Sequence, residues 1–141
     1  YVEMQWLMLQ QKIPDDFVIA TGQMSTIRDF VEMSAKAIGW GGNKNQKAII
    51  WEGSGINETG KRSDTGEIII RIDPRYFRPT EVNELLGDPS KAFKKLGWSP
   101  KITLSQMINE MVKKDKEDAL KESILKREGF EINTSIENPP N

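Results

Sequence analysis

The chain has 141 residues, of which 37% are apolar, and this is enough for one compact domain with its own core. Its 20 basic and 21 acidic residues give a formal net charge of -1, which excludes a general electrostatic attraction to nucleic acids or anionic membranes. Cysteine and histidine are absent, which excludes a disulfide framework, thiolate nucleophiles and the ligand and acid–base chemistry of imidazole.

Two further absences bear on location and partners. No apolar stretch approaches the roughly 20 residues that span a bilayer. The first residues lack the basic region and the cleavage site of a secretory signal. We therefore expect a cytoplasmic protein that has no metal centre and that binds neither membranes nor nucleic acids.

The first part of the chain predicts two helices and a strand between them. Residues 1–11 predict a helix with apolar residues around most of its circumference, so we expect it to pack on two sides, one of which this chain does not supply. The apolar run 17–20 predicts a short strand. Thr26 and Asp29 fit the capping box of a second helix, which we expect to end at Gly39.

The middle of the chain predicts two more strands, separated by a long loop. Residues 41–46 are polar and glycine-rich and predict a turn, and residues 48–52 predict a strand. Residues 53–66 are rich in glycine and polar residues, so we expect a mobile loop. Residues 67–73 predict a third strand, and its consecutive isoleucines indicate burial on both faces.

A short helix is predicted in the last third of the chain. Asp88 as the N-cap and Pro89 as the first helical residue predict its start, and Gly97 predicts its end. We expect its buried face to contain Ala92, Phe93 and Leu96.

A longer helix follows, capped by Thr103 or Ser105. Its second half is highly charged, so we expect it to fray or to lean on a partner chain. Residues 131–141 are polar and predict a disordered tail. The chain is therefore expected to form one domain, residues 1–130, followed by this tail.

The loop after the third predicted strand carries the residues with the clearest chemistry. Arg75 and Arg78 lie between Pro74 and Pro79, which restrict the backbone on either side. A guanidinium donates to two phosphate oxygens together, and Glu81 is placed to accept the hydroxyls of a neighbouring ribose. The loop also follows the carboxyl end of a strand, where α/β folds gather their ligands. A surface ion pair between Arg78 and Glu81 is the alternative interpretation, because R-x-x-E is a short pattern.

Two glycine-rich stretches do not change this interpretation. Residues 39–42 and 52–55 both lack the G-x-G-x-x-G spacing that a dinucleotide site requires between strand and helix. We interpret both as turns. The chain therefore has no predicted cofactor-binding or catalytic residue of its own.

Longer stretches of the chain resemble a known family. In order, YVEMQWLMLQ, DFVIATG, RDFVEMSAKAIG, IIIRIDPRYFRPTEVNELLGDPSKAFKKLGW and MINEMVKKD resemble the carboxy-terminal part of the GDP-mannose 4,6-dehydratases, which are extended short-chain dehydrogenase/reductases. The resemblance covers residues 1–130. It implies an α/β fold with few short strands and several helices, forming the substrate-binding domain of a Rossmann-type enzyme that binds NAD(P).

The resemblance also implies a function. Enzymes of this family use NADP to convert GDP-mannose to GDP-4-dehydro-6-deoxymannose, on the route to GDP-fucose. By resemblance, Arg78 binds the diphosphate of GDP-mannose and Glu81 binds the ribose of its GDP. The glycine-rich NADP loop, the Tyr-x-x-x-Lys pair and the catalytic threonine or serine and glutamate of the family have no counterpart in this chain.

We therefore expect a substrate-binding part that is inactive alone and that works with a missing nucleotide-binding domain, where NADP binds, in an oligomer of identical subunits. Two alternatives stay open. The R-x-x-E pattern also suits another sugar-nucleotide dehydratase, epimerase or reductase of the same superfamily. The missing catalytic half is compatible with a stand-alone, non-catalytic binding module.

Overall fold

The computed structural model describes residues 1–41, 43, 46–78, 80 and 84–131. In chain order, the described residues contain α1 (Val2–Leu9), α2 (Ile27–Ile38), β1 (Ile49–Glu52), β2 (Thr59–Arg62), β3 (Ile68–Arg71), α3 (Ser90–Leu96) and α4 (Leu104–Arg127). A short 3-10 helix, Gly55–Asn57, lies between β1 and β2. The architecture is α/β, with few short strands and several helices, as the sequence predicts. Of the predicted tail 131–141, all positions after 131 lie outside the described residues, so its disorder stays a prediction.

Capping boxes start the two longest helices. In α2, the Thr26 hydroxyl accepts from the backbone N–H of Asp29 at 3.0 Å, and the Asp29 carboxylate accepts from the backbone N–H of Thr26 at 3.1 Å. In α4, Thr103 and Gln106 make the same exchange at 3.2 and 2.9 Å. Gly39 ends α2 with a φ of 100°, in the left-handed region that favours glycine. These predicted helix boundaries are confirmed.

The three strands form an antiparallel sheet in the order β1-β2-β3. The positions of β1 and β3 agree with the prediction. The prediction of a mobile loop over residues 53–66 is wrong, because this range contains the 3-10 helix and all of β2. The sequence of β2, TGKR, has no apolar residue, and it becomes the central strand because backbone hydrogen bonds join it to a neighbour on each side.

β2 contains a glycine that allows side chains of both neighbouring strands to approach its backbone closely. Gly60 is buried, and a Cβ at this position would lie 3.1 Å from Cβ of Ile70 and 3.2 Å from Cγ2 of Ile49. The two isoleucine side chains therefore close over the central strand only because Gly60 has no side chain. The predicted burial of β3 on both faces is met in part, since Ile69 and Ile70, on opposite faces of the strand, are both half-buried while Ile68 is exposed.

Residues 17–20 are not a strand. They pair with no other segment in the part of the chain that the structure describes, so this prediction is wrong. An apolar run becomes a strand only when a neighbour supplies ladder hydrogen bonds. The segment packs through side chains instead: Phe17 lies against the cluster around Met4, and a Cβ added to Gly87 would lie 2.6 Å from Cβ of Ala20.

The start of α3 differs from the prediction by one position. Pro89 precedes the helix, and Ser90 is its first residue. Asp88 still serves the helix start, because its carboxylate accepts from the backbone N–H of Ser90 at 2.9 Å. Gly97 ends the helix with a φ of 66°, as predicted.

The buried face of α3 is narrower than predicted. Ala92 is fully buried and Leu96, four residues later, packs against the same core cluster. Phe93 is 62% exposed, so its predicted burial is wrong. Successive residues of an α-helix are rotated by about 100°, which carries Phe93 away from the face that Ala92 and Leu96 share.

Among the described residues, the buried side chains form two separate clusters, and Ile108 of α4 is buried outside both. The α1–α3 cluster contains Met4, Ala92 and Trp98, with Leu7, Met8, Phe17 and Leu96 packed against it. The helix–sheet cluster contains Ala35, Ala48 and Ile49, with Val31, Trp40, Trp51 and Ile69 packed against it. α1 is buried through Met4 and partly through Leu7 and Met8, whereas its apolar residues Val2, Trp6 and Leu9 are exposed. The expected packing of α1 on two sides is thus present on one side only.

Candidate functional site

The loop of residues 73–78 leaves the sheet at the end of β3, where Arg71 pairs with Thr59. Glu52 also pairs with Thr59, so the connection between β1 and β2 turns at this same end of the sheet. The rule that ligands gather at the carboxyl ends of strands applies to parallel sheets, and this sheet is antiparallel. Support for a site must therefore come from the side chains of the loop itself.

The loop begins with a hydrogen-bonded turn. The backbone N–H of Tyr76 donates to the carbonyl of Asp73 at 3.1 Å, and that of Phe77 donates to the carbonyl of Pro74 at 3.4 Å. Aspartate followed by proline is typical of the first two positions of a type I turn, because proline presets φ and aspartate accepts from the backbone two residues later. The backbone that leads to Arg78 is thus ordered by local hydrogen bonds.

The carboxylate of Asp73 lies at the centre of this turn. Its Oδ1 accepts from the backbone N–H of Arg75 at 2.9 Å. Nε of Arg75 lies 3.1 Å from each carboxylate oxygen, and Nη2 donates to Oδ2 at 2.6 Å. Because these bonds favour the ionised carboxylate, the Arg75 side chain holds the pKa of Asp73 below its usual range. Backbone and side chain of Arg75 therefore both donate to Asp73.

Aromatic contacts join the loop to the neighbouring connection. A Cβ added to Gly55 would lie 3.9 Å from Cζ of Phe77, so the phenyl ring lies against the 3-10 helix. Just beyond that helix, Glu58 forms an ion pair with Arg28 of α2. The Arg28 guanidinium lies 5.3 Å from the ring centre of Trp51 in β1. These contacts connect the start of α2, the β1–β2 connection and the 73–78 loop at one end of the sheet.

Arg78 is exposed and directly follows the turn and the aromatic contact. An exposed guanidinium on an ordered loop has the chemistry to bind a phosphate with two parallel hydrogen bonds. Position 79 and residues 81–83 lie outside the described residues. The predicted role of Glu81 and the alternative ion pair between Arg78 and Glu81 are therefore not tested by the structure.

A glutamate on α2 supports the sheet from within the domain. Glu32 accepts from the backbone N–H of Ala48 at 2.6 Å and from that of Ile49 at 2.9 Å, and Lys36 lies 3.3 Å from its carboxylate. Burial opposes the ionised form of Glu32, but the two backbone donors and Lys36 outweigh it and lower its pKa. This carboxylate fixes the start of β1 to α2.

Sequence reasoning gave no role to Asp73 or Glu32. For Asp73 a signal was present, because the Asp-Pro pair after a strand is typical of a type I turn. For Glu32 no local signal exists, since its acceptor role depends on backbone groups 16 and 17 residues away.

Two concave surfaces of similar volume lie away from the 73–78 loop. One, of about 440 Å³, is formed mainly by residues 10–15 together with Lys95. Another, of about 430 Å³, lies beside Tyr1, Trp98 and Met107. Neither is lined by Arg78, so the candidate site in this chain is an exposed loop rather than an enclosed cavity.

The ranges that the structure describes contain no group of three or more acidic side chains placed to hold a metal ion. Within the same ranges, no helix has both the length and the apolar character needed to cross a membrane.

Comparison with known proteins gives a consistent family. A protein-family model described as GDP-mannose 4,6 dehydratase matches residues 1–111. The GDP-mannose 4,6-dehydratase of Yersinia enterocolitica is 48% identical over 97% of this chain, and so is that of Vibrio cholerae. The human GDP-mannose 4,6 dehydratase is 46% identical over 83% of this chain.

The match involves only part of each relative. The chain spans 38% of the length of the Yersinia and Vibrio proteins and 30% of the human one. The matched part is a carboxy-terminal portion of these relatives. The similarity therefore applies to one portion of a longer protein in each case.

Proposed function

Because this chain belongs to the GDP-mannose 4,6-dehydratase family, we propose that it forms the substrate-binding portion of an enzyme that converts GDP-mannose to GDP-4-dehydro-6-deoxymannose. The proposal rests on the activity that the names of the relatives state. The product is a precursor of GDP-fucose and related deoxysugars. The same names do not favour another sugar-nucleotide enzyme or a non-catalytic module, the two alternatives that the sequence alone left open.

In the proposed enzyme, NADP would supply the oxidation and reduction that the conversion of the sugar requires. The residues of this chain do not fit NADP, because neither glycine-rich stretch has the spacing of a dinucleotide site. The proposal therefore assigns NADP and the catalytic groups to the upstream portion that the relatives contain.

The role of this chain is to hold the substrate. Arg78 donates from its planar guanidinium to the diphosphate, and the turn at Asp73 orders the backbone that carries it. Glu81 accepts from the hydroxyls of the ribose, a role that rests on the family resemblance alone. Together these residues keep the GDP moiety fixed while the sugar extends into the upstream portion.

The partner of this chain within the enzyme is that nucleotide-binding portion. The exposed apolar side chains of α1, Val2, Trp6 and Leu9, are the surface that it covers, since an apolar helix face is stabilised when a neighbour removes it from water. The complete enzyme forms a homo-oligomer. A cytoplasmic location also stays a prediction.

Substitution of Arg78 tests the binding role. The test protein is the joined enzyme, meaning this chain fused behind the upstream portion found in its relatives. Arg78→Ala should weaken GDP binding by about 1.5 to 3 kcal/mol, the contribution of hydrogen bonds that involve charged groups, and should leave NADP affinity unchanged. Isothermal calorimetry measures both affinities.

Arg127→Ala is the matched control, because Arg127 is an exposed arginine in the last turn of α4. It should change neither affinity. Unchanged GDP affinity in Arg78→Ala would refute the assignment of Arg78.

A further inference from the structure

Asp73 accepts hydrogen bonds through both oxygens of its carboxylate and through its backbone carbonyl. Its Oδ1 accepts from the backbone N–H of Arg75, and both of its oxygens accept from the Arg75 guanidinium. Its own carbonyl accepts from the backbone N–H of Tyr76. One residue thus sets the backbone direction and holds a side chain over the same turn.

The position of this turn matters because Arg78 is only five residues beyond Asp73. Pro74, Arg75, Tyr76 and Phe77 are all exposed, so few buried apolar contacts hold the intervening backbone. Exposed segments with few buried contacts have low local stability and sample several conformations unless local hydrogen bonds select one. The hydrogen bonds to Asp73 favour one such conformation.

We propose that Asp73 is a positioning residue for substrate binding, which fixes the turn from which Arg78 reaches the diphosphate of the nucleotide sugar. This inference rests on the proposed function, because it acts through Arg78. It assigns Asp73 no contact with substrate.

Asp73 is expected to contribute more to nucleotide affinity than to the free energy of unfolding. The ion pair between Asp73 and Arg75 is half exposed, and such pairs contribute little to the free energy of unfolding because water screens the charges. An ordered loop nevertheless binds better than a disordered one, because the entropy of fixing Arg78 is already lost before the substrate arrives. Loss of Asp73 should therefore weaken nucleotide affinity more than it weakens the fold.

The chain offers a matched control. Asp64 pairs with Arg62 at the same spacing in sequence, with two hydrogen bonds of 3.0 and 2.9 Å, and it also accepts from the backbone N–H of Gly41 at 3.4 Å. It lies at the β2–β3 turn, at the opposite end of β2 from Thr59 and the 73–78 loop. Asp64→Ala removes a comparable ion pair without touching the turn before Arg78.

The test is a double-mutant cycle in the joined enzyme, with GDP affinity measured by calorimetry. Asp73→Ala should raise the Kd for GDP by roughly 3- to 10-fold, the equivalent of one net hydrogen bond. In an Arg78→Ala background the same change should raise Kd by less than about twofold, because a residue that acts through Arg78 has no effect once Arg78 is gone. Asp73→Asn keeps an oxygen acceptor for the Arg75 N–H and should restore most of the affinity.

Two controls accompany the cycle. Asp64→Ala should leave the Kd for GDP unchanged, and NADP affinity should be the same in every variant. An equal loss of GDP affinity in both Arg78 backgrounds, or the same loss in Asp64→Ala, would overturn the positioning role. An Asp73→Ala enzyme that also loses NADP affinity would overturn it, since the change then disturbs the whole fold.

The cycle also separates this inference from the proposed function. If Arg78→Ala weakens GDP binding and Asp73→Ala does not, the inference fails and the proposed function stands. If Arg78→Ala has no effect, the proposed site fails and the positioning role of Asp73 fails with it.

Discussion

The helix–sheet cluster and the α1–α3 cluster each contain three buried residues, but different polar contacts surround them. At the helix–sheet cluster, Glu32 of α2 accepts from two backbone N–H groups at the start of β1. At the α1–α3 cluster, Asp15 forms exposed ion pairs with Lys91 and Lys95 of α3 at 2.6 and 2.7 Å. Backbone donors in a buried setting depend on their acceptor, whereas exposed ion pairs are screened by water.

The two regions also differ in how far their tryptophan side chains are exposed to solvent. Trp40 and Trp51 of the helix–sheet region are partly buried and lie beneath the guanidinium groups of Arg62 and Arg28, respectively. On α1, Trp6 is 59% exposed, although it lies close in sequence to the buried Met4. The tryptophans of the helix–sheet region are therefore partly covered within this chain, whereas Trp6 lies on an apolar face of α1 that a neighbour would stabilise. This difference supports the proposed role of the upstream portion.

Truncation of one apolar side chain to alanine should lower the free energy of unfolding strongly in the helix–sheet region and hardly at all on α1. Ile49→Ala removes a fully buried side chain from the helix–sheet cluster and should lower the free energy of unfolding by about 2 to 5 kcal/mol. Leu9→Ala removes a side chain that is 82% exposed on α1 and should change it by less than about 0.5 kcal/mol. Urea denaturation of the two variants measures both values. Equal losses would show that Leu9 of α1 is as well buried as Ile49 of β1.

Substitution of Glu32 should lower the free energy of unfolding by a smaller amount. It tests the polar contact of the helix–sheet region separately from its apolar packing. Glu32→Ala leaves the backbone N–H groups of the buried Ala48 and Ile49 without this acceptor and should lower the free energy of unfolding by about 1 to 3 kcal/mol. Glu32→Gln keeps one side-chain oxygen and should lose less. The same denaturation experiment measures both variants. A Glu32→Ala variant as stable as the wild type would contradict the role given to this carboxylate.

The effect of Glu32 should depend on pH. Its pKa in the folded chain lies below the ordinary value of 4.5, so the ionised carboxylate stabilises the fold above that pH. This contribution is lost as the pH falls through the folded pKa. The difference in stability between wild type and Glu32→Ala should therefore be constant near neutral pH and shrink on acidification below about pH 4.5.

The parts of the fold that the sequence predicted are those with local signals. The capping boxes at Thr26 and Thr103 and the terminal glycine of α2 each act within a few residues, so the pattern alone identified them. β2 was missed because its strand character comes from backbone pairing on both sides and not from apolar side chains. Residues 17–20 were predicted wrongly for the converse reason: an apolar pattern does not make a strand without a paired neighbour.

The sequence predicted only part of the candidate site, as it predicted only part of the fold. Arg78 was identified from the residue types of the loop and from the family resemblance, and the structure places it just after an ordered turn. The contact between Phe77 and the 3-10 helix was not predictable, because that helix lies in a range expected to be mobile. Glu81 lies outside the described residues, and its role stays a prediction.

We propose that this chain holds the nucleotide sugar and that the catalytic groups belong to the upstream portion of the enzyme. The direct test incubates GDP-mannose and NADP with this chain alone and with the joined enzyme, and detects GDP-4-dehydro-6-deoxymannose by chromatography and mass spectrometry. We predict product from the joined enzyme and none from the chain alone. Product formed by the chain alone, or none formed by a folded joined enzyme that binds NADP, would show that this division of roles is wrong.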